Sequence, residues 1–148
     1  MRVRPRAEGD LDACAEALKQ VHVADRYPVD WPDDPQGWLT PSGLLRAWVA
    51  VEEGRVLGHA GLAGVPGGGQ EVTRLFVTPA ARGRGLAARL LGTVREAAGE
   101  PVKLEVSDEG GAAIALYERL GWRRVTSTRA RWLNAAGEPA LLHHYVSP

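Results

Sequence analysis

Apolar residues recur along this chain in two rhythms, and each rhythm predicts an element. Leu11, Cys14, Leu18 and Val21 stand three or four residues apart, which is one face of a helix running from about Leu11 to His22, with Asp10 as its N-cap. Leu86, Leu90, Val94 and Ala97 repeat that spacing, so a second helix starts near Gly85 and ends near Gly99. Ala112 to Leu120 reads as a third, stopped by Gly121. Strands follow the other rhythm. Val102, Leu104 and Val106 alternate with Lys103 and Glu105. Arg46 to Glu53 and Val56 to Ala63 are β-rich on either side of a Glu53-Gly54 turn. Glu71 to Thr78 is a strand whose run of Leu75, Phe76 and Val77 is stopped by Pro79. Met1 to Pro5 fits a short edge strand. Trp122 to Leu133 and Ala140 to Val146 form a hairpin with a longer loop.

The order of elements restricts the topology. Strands 46–53, 56–63 and 71–78 are expected as an antiparallel meander. Strand, helix and strand from Glu71 to Val106 imply a right-handed crossover, so the strand at 102–106 is expected parallel to the one at 71–78. No repeat, tail or linker interrupts the chain, which is read as one domain over residues 1–148.

Between the 71–78 strand and its helix lies Arg82-Gly83-Arg84-Gly85-Leu86-Ala87. Two glycines permit a tight backbone close to a ligand. A loop opening into a helix presents unpaired N–H groups at the positive end of the helix dipole, which suits phosphate. Arg82, Arg84 and Arg89 add charge. The GxxxxGK(S/T) pattern is absent, which argues against a P-loop nucleotide site. GxGxxG is also incomplete, because no third glycine follows Gly83 and Gly85.

Composition narrows the field further. The 148 residues are 45% hydrophobic and 24% charged, ordinary for a globular domain able to bury a core. Net charge is zero, so no bulk field draws the chain to nucleic acid. The single cysteine, Cys14, permits no internal disulfide; it lies on the apolar helix face and reads as a small core residue. No apolar run is long enough to cross a membrane and no signal-peptide core follows the basic start, so a cytoplasmic location is expected. His143-His144 would point to opposite faces of a strand and so make a poor chelate, and no metal is expected.

Residues 23–42 are the least regular. Pro28, Pro32, Pro35 and Pro41 forbid a long helix or a central strand, leaving room for a helical turn at Gln36 to Leu39. Tyr27, Trp31 and Trp38 alternate with Asp25, Asp30, Asp33 and Asp34. Two readings stand side by side. The segment lines a pocket for a cationic amine, with Tyr27, Asp30, Trp31 and Trp38 as substrate-binding residues. Alternatively the rings pin a Pro-rich loop and the carboxylates are solvated.

The pattern R-x-x-G-x-A after a strand ending in V-x-P resembles the pyrophosphate loop of the GCN5-related N-acetyltransferase (GNAT) family. A second stretch, LEVSDEGGAAIALYERLGW, is similar to that family's strand, loop and helix, with Val106, Ala113, Leu116, Tyr117, Gly121 and Trp122 at the matching places. The resemblance implies an α+β (α/β/α) fold: a mixed, mostly antiparallel sheet splayed at its centre, with helices on both faces. It implies acetyl-CoA as co-substrate and a small-molecule amine or a peptide terminus as acceptor. The pantetheine arm would lie along Leu75, Phe76 and Val77, and the pyrophosphate on the amides of Arg82, Gly83, Arg84, Gly85, Leu86 and Ala87. Tyr117 would touch the cofactor and protonate the departing thiolate. Glu71 stands where many members keep a catalytic or water-relaying carboxylate, with His22 and Asp30 as weaker candidates. The C-terminal strands of such folds often pair between subunits, so a homodimer is open. Gly110 departs from the family's frequent Asn. That keeps an alternative alive, an acyl-CoA-binding module with little catalysis. A nucleic-acid role for the Arg/Gly loop is the third reading, opposed by the neutral charge.

Overall fold

Seven strands and four helices make up the chain, and the computed structural model describes residues 1–148. The strands are β1 (Arg2–Pro5), β2 (Leu44–Glu52), β3 (Arg55–Gly64), β4 (Gln70–Val77), β5 (Lys103–Ser107), β6 (Arg123–Leu133) and β7 (Pro139–Val146). The helices are α1 (Leu11–Asp25), α2 (Pro35–Trp38), α3 (Leu86–Ala98) and α4 (Gly111–Arg119). All seven strands join one sheet in the order β1-β2-β3-β4-β5-β7-β6. Every neighbouring pair is antiparallel except β4 and β5. The expected meander and parallel crossover are both present. Element bounds fall within a few residues of the sequence reading. The largest difference is α1, which runs on to Asp25 and stops where Arg26 turns left-handed (φ 57°).

Two apolar layers sandwich the sheet. On one face α3 and α4 close over Trp48, Ala50, Ala60, Leu62 and Val72. On the other, Cys14, Ala17, Leu18 and Val21 of α1 pack on Val49, Val56 and Phe76. Cys14 is fully buried, and burial pushes its thiol up to about 11, in keeping with a core residue. The Asp10 carboxylate does not cap α1. It takes two hydrogen bonds from Arg4 (2.7 and 2.9 Å) and one from the Ala7 N–H, because a guanidinium is a stronger donor than a helix amide.

Two features of β4 shape the site. The first is a bulge: His59 faces Phe76 and Gly61 faces Thr73, so Arg74 and Leu75 together oppose Ala60. Arg74 adopts φ 53° there. The extra residue reverses the alternation, so Val72, Leu75 and Val77 pack toward α3 and α4 while Phe76 joins α1. The second is a splay. β4 and β5 are in register only at Glu71 opposite Lys103. Beyond that point the two strands part, and one edge of β4 is left without a neighbour.

His59 pins the bulge. It is fully buried and stacks on Phe76 at 5.3 Å. Its Nδ1–H donates to the Arg74 carbonyl (2.8 Å) and Nε2 accepts from Arg6 (3.0 Å). That arrangement requires a neutral ring, and burial pulls its pKa down from 6.5 to about 4. The folded value lies below the unfolded one, so the unfolded chain binds more protons between them. This contribution to stability is therefore complete above pH 6.5 and is lost as pH falls toward 4, about 3 kcal/mol in all. Urea melts at pH 7 and pH 4.5 are expected to differ less in His59→Gln than in the wild type. Equal differences would contradict the neutral buried ring.

Candidate active site

The unpaired edge of β4 offers backbone groups to a ligand. Thr78 N–H bonds the Leu57 carbonyl of β3 (2.9 Å), so the alternate residues Leu75 and Val77 turn their N–H and C=O the other way, into the gap. Arg82 reaches the Val77 carbonyl from that side, 3.3 Å from both Nε and Nη2. Of the expected cofactor residues on this strand, Leu75 and Val77 face the gap, whereas Phe76 bonds toward β3 and buries its ring against α1.

The loop after β4 has the predicted form. Gly83 (φ 81°) and Gly85 (φ 75°) both take left-handed backbone. Arg89 N–H is the first to bond back within α3, to Gly85 C=O at 3.1 Å. The amides of Leu86, Ala87 and Ala88 thus find no acceptor in the chain and converge at the positive end of a helix of 13 residues. The arginines are less free than the sequence suggests. Arg82 pairs with Asp25 and Arg84 with Glu52, each at 2.5 Å, while Arg89 touches Met1 Sδ at 3.6 Å. The Arg84 bond holds the Glu52 carboxyl below its ordinary range. Backbone amides, with Arg89, which meets no carboxylate, therefore supply the uncompensated positive field.

Tyr117 closes the gap from the α4 side. It is 7% exposed and packs against Trp122 and Tyr145, with ring centroids 6.0 and 6.1 Å away. Tyr145 spends its hydroxyl on Glu118 and Arg124. The Tyr117 hydroxyl has no hydrogen-bond partner in the chain and is not fully enclosed. Burial pushes its pKa up, and the nearby Tyr27 adds to this, so it stays a proton donor at neutral pH. Gly110 caps α4 at a crowded point. A Cβ there would meet Val106 Cγ2 at 3.1 Å and Ser107 O at 3.2 Å, so packing itself disfavours an Asn.

Glu71 lies on the opposite face. It is half-buried, and burial raises its pKa, with Glu105 of β5 raising it further. Glu71 pairs with Lys103, and Glu105 sits two residues on, so both carboxylates project from the same side where the strands part. Glu105 also lies 3.8 Å from His144.

The structure divides the irregular segment. Tyr27 and Trp38 meet edge to face at 5.8 Å, and Arg74 lies 4.0 Å over the Trp38 ring. Burial pushes the Tyr27 hydroxyl up to about 12, while the residue as a whole keeps 36% exposure. Trp31 is elsewhere, packed beside α1 with His22 (5.3 Å) and Lys19 (4.7 Å). Asp30 is exposed with no ion pair, and His22 holds the Pro28 carbonyl at 2.7 Å. His143 and His144 do face opposite ways. His143 bonds Asp108 and Ser127, and His144 bonds Thr128.

Sequence reading missed Arg74, His59 and Glu105. Glu105 was legible as an outward position; its closeness to Glu71 needed the strand register. Arg74 and His59 matter through the bulge, which no local pattern announces.

An α+β sheet parted at its centre, with a free backbone edge, a helix-capping amide loop and a phenol across the gap, defines an acyl-CoA-type acyltransferase domain. Comparison with known proteins agrees. The sequence model of the Acetyltransferase (GNAT) family matches residues 11–122. N-alpha-acetyltransferase RimI of Mycobacterium tuberculosis is 33% identical over 135 residues, covering 88% of this chain and 83% of that protein. A Mycobacterium leprae protein, ML0378, is 40% identical over 137 residues; the match takes in 90% of this chain but only 37% of that longer protein. Among solved structures, the ribosomal-protein-S18-alanine N-acetyltransferase of Escherichia coli superposes with a TM-score of 0.77 at 20% identity, covering 99% of this chain and 92% of that one. YncA of Salmonella typhimurium with acetyl-CoA gives 0.76 at 21%, covering 98% and 91%. This chain belongs to the GNAT family of acetyltransferases, and its class of activity is acyl transfer. No helix is long and apolar enough to cross a membrane.

Proposed function

We propose that this protein transfers an acetyl group from acetyl-CoA to the primary amine of a peptide terminus or small molecule. The observation that carries the reading is the free β4 edge running directly into the unpaired amides of the Gly83–Ala88 turn. Together they offer hydrogen bonds for an extended amide-bearing arm and a seat for its pyrophosphate. The likeness to RimI supports a peptide N-terminus as acceptor, and the acetyl-CoA held by YncA supports the donor.

In this reading the amine attacks the thioester carbon and the C–S bond breaks. Val77 N–H, on the free edge, polarises the carbonyl. Most of a primary amine is protonated at neutral pH, so a proton must first leave it. Glu71, seconded by Glu105, takes that proton. The leaving thiolate takes its proton from Tyr117. Tyr27 and Trp38 form the acceptor wall; Trp31 and Asp30 lie farther out.

Two measurements test this. Acetyl-CoA at a hundred times its dissociation constant is expected to stabilise the protein by about 2.7 kcal/mol, with no shift from NAD. Failure of that shift removes the donor assignment. The second is the pH profile of thiol release with a peptide amine. A base must be unprotonated to act, so activity falls as pH drops through the raised Glu71 pKa. Glu71→Gln is expected to lower kcat/KM about 10- to 100-fold and to flatten that acid limb. An unchanged profile transfers the role to Glu105 or water.

A further inference from the structure

Arg74 is charged, half-buried and without an ionic partner. Arg4, Arg82, Arg84 and Arg124 each meet a carboxylate, at 2.7, 2.5, 2.5 and 3.8 Å. Arg6 has no carboxylate but makes three hydrogen bonds, to Leu39 O (2.7 Å), Thr40 Oγ1 (2.8 Å) and His59 Nε2 (3.0 Å). Arg74 donates from Nε to the Trp38 carbonyl at 2.8 Å, and its Nη1 reaches Thr73 Oγ1 only at 3.5 Å. Its Nη2 has no partner in the chain. That nitrogen is not enclosed, since Trp122 Nε1 is the one fully buried side-chain polar atom without a hydrogen bond. The stacking on Trp38 and the Nε bond hold the guanidinium plane still. A fixed fork with spare donors suits a carboxylate.

The backbone makes the same point independently. Arg74 sits at φ 53°, where a residue other than glycine is strained. The strain places its side chain on the bulge, on the Tyr27 and Trp38 side of β4. Glu71 stands three residues earlier on that strand, at most about 10 Å away. It is near enough to feel the Arg74 charge but makes no ion pair with it. One face of β4 therefore carries the Glu71 carboxylate and, three residues on, a cation that no carboxylate pairs.

We infer that Arg74 is a specificity-determining residue which holds a carboxylate of the acceptor while the acceptor's amine lies toward Glu71. The inference rests on the acyl-transfer reading above and narrows its acceptor to an amine with an oxyanion a few bonds away. Either a free amino acid or a peptide terminus with an acidic second residue presents that chemistry.

Matched acceptors separate the sources. An amino acid is compared with its carboxamide, and a peptide beginning Ala-Asp with one beginning Ala-Asn. Thiol release is followed for wild type, Arg74→Gln and Arg74→Lys, with circular dichroism confirming the fold. The wild type is expected to favour the carboxylate member of one pair by about 10- to 100-fold in kcat/KM. Arg74→Gln brings the two members of that pair to within about twofold of each other, whatever its overall rate, and Arg74→Lys restores part of the preference. No preference in either pair, or a preference intact in Arg74→Gln, overturns the inference. If no acceptor is acetylated, the acyl-transfer reading fails separately. Melting shifts with the N-acetylated amino acid, the N-acetylated Ala-Asp peptide and their neutral counterparts then decide the anchor. A carboxylate-dependent shift lost in Arg74→Gln supports it, and equal shifts refute it.

Discussion

Replacing Gly85 with Asp is expected to abolish cofactor binding and leave the fold in place. Gly85 sits at φ 75° and ψ 16°, and an added Cβ would meet no atom of the chain within 4 Å. Asp is among the residues that tolerate this left-handed backbone, so the cost to stability is roughly 1–2 kcal/mol. The new carboxylate would stand among the free amides of Leu86, Ala87 and Ala88, compensating the field that attracts phosphate and repelling the phosphate itself. Losing two or three charge-assisted hydrogen bonds of about 1.5–3 kcal/mol each corresponds to a loss of affinity of at least about a hundredfold. Gly85→Ala separates the causes, because it imposes the backbone cost without the charge. Calorimetric titration with CoA reads both variants. Near wild-type affinity in Gly85→Asp would mean that the Arg/Gly turn does not seat the pyrophosphate.

Tyr117→Phe is expected to lower turnover by about one to three orders of magnitude with CoA affinity within about twofold. The substitution removes one hydroxyl and keeps the ring against Trp122 and Tyr145. That hydroxyl bonds nothing in the chain, so little stability is lost with it. Its pKa is raised first by burial, which keeps the proton in place for the thiolate across the physiological range. The wild-type rate should therefore show no alkaline fall from Tyr117 near its ordinary value. An unchanged rate in Tyr117→Phe would leave the tyrosine as a core residue only. A rate loss accompanied by an equal loss of CoA affinity would assign it to binding instead.

Arg74 and Gly85 differ in how openly the sequence displays them. Gly83 and Gly85 announce a turn because glycine is the residue that takes left-handed backbone freely, and both take it. Arg74 takes the same backbone without being glycine, and its neighbours Leu75, Phe76 and Val77 read as plain strand. The resemblance puts Phe76 with Leu75 and Val77 along the cofactor, whereas only Leu75 and Val77 face the gap. Strand alternation explains the backbone half of that difference, and the bulge explains why the Phe76 ring lands against α1.

The substrate segment shows the same limit. Prolines at positions 28, 32, 35 and 41 correctly exclude a long element, and Asp34 caps the short α2 through the Gly37 N–H at 3.1 Å. Their side chains, however, scatter over two surfaces. Tyr27 and Trp38 turn to β4, while Trp31 lies beside His22 and Lys19. Nothing in a loop sequence specifies which ring faces which neighbour, since that depends on contacts with other elements, Trp38 with Arg74 of β4 and Trp31 with His22 and Lys19 of α1.

The sequence by itself determined the elements, their order, the parallel crossover and the amide turn, because hydrophobic period, glycine and proline act within a few residues. Tertiary structure decided how the sheet parts beyond Glu71, where Arg74 projects, and that Glu71 and Glu105 share a face. It also decided that Asp25 and Glu52 neutralise two of the loop arginines. These are long-range juxtapositions, fixed by strand register and by which charges fold against one another.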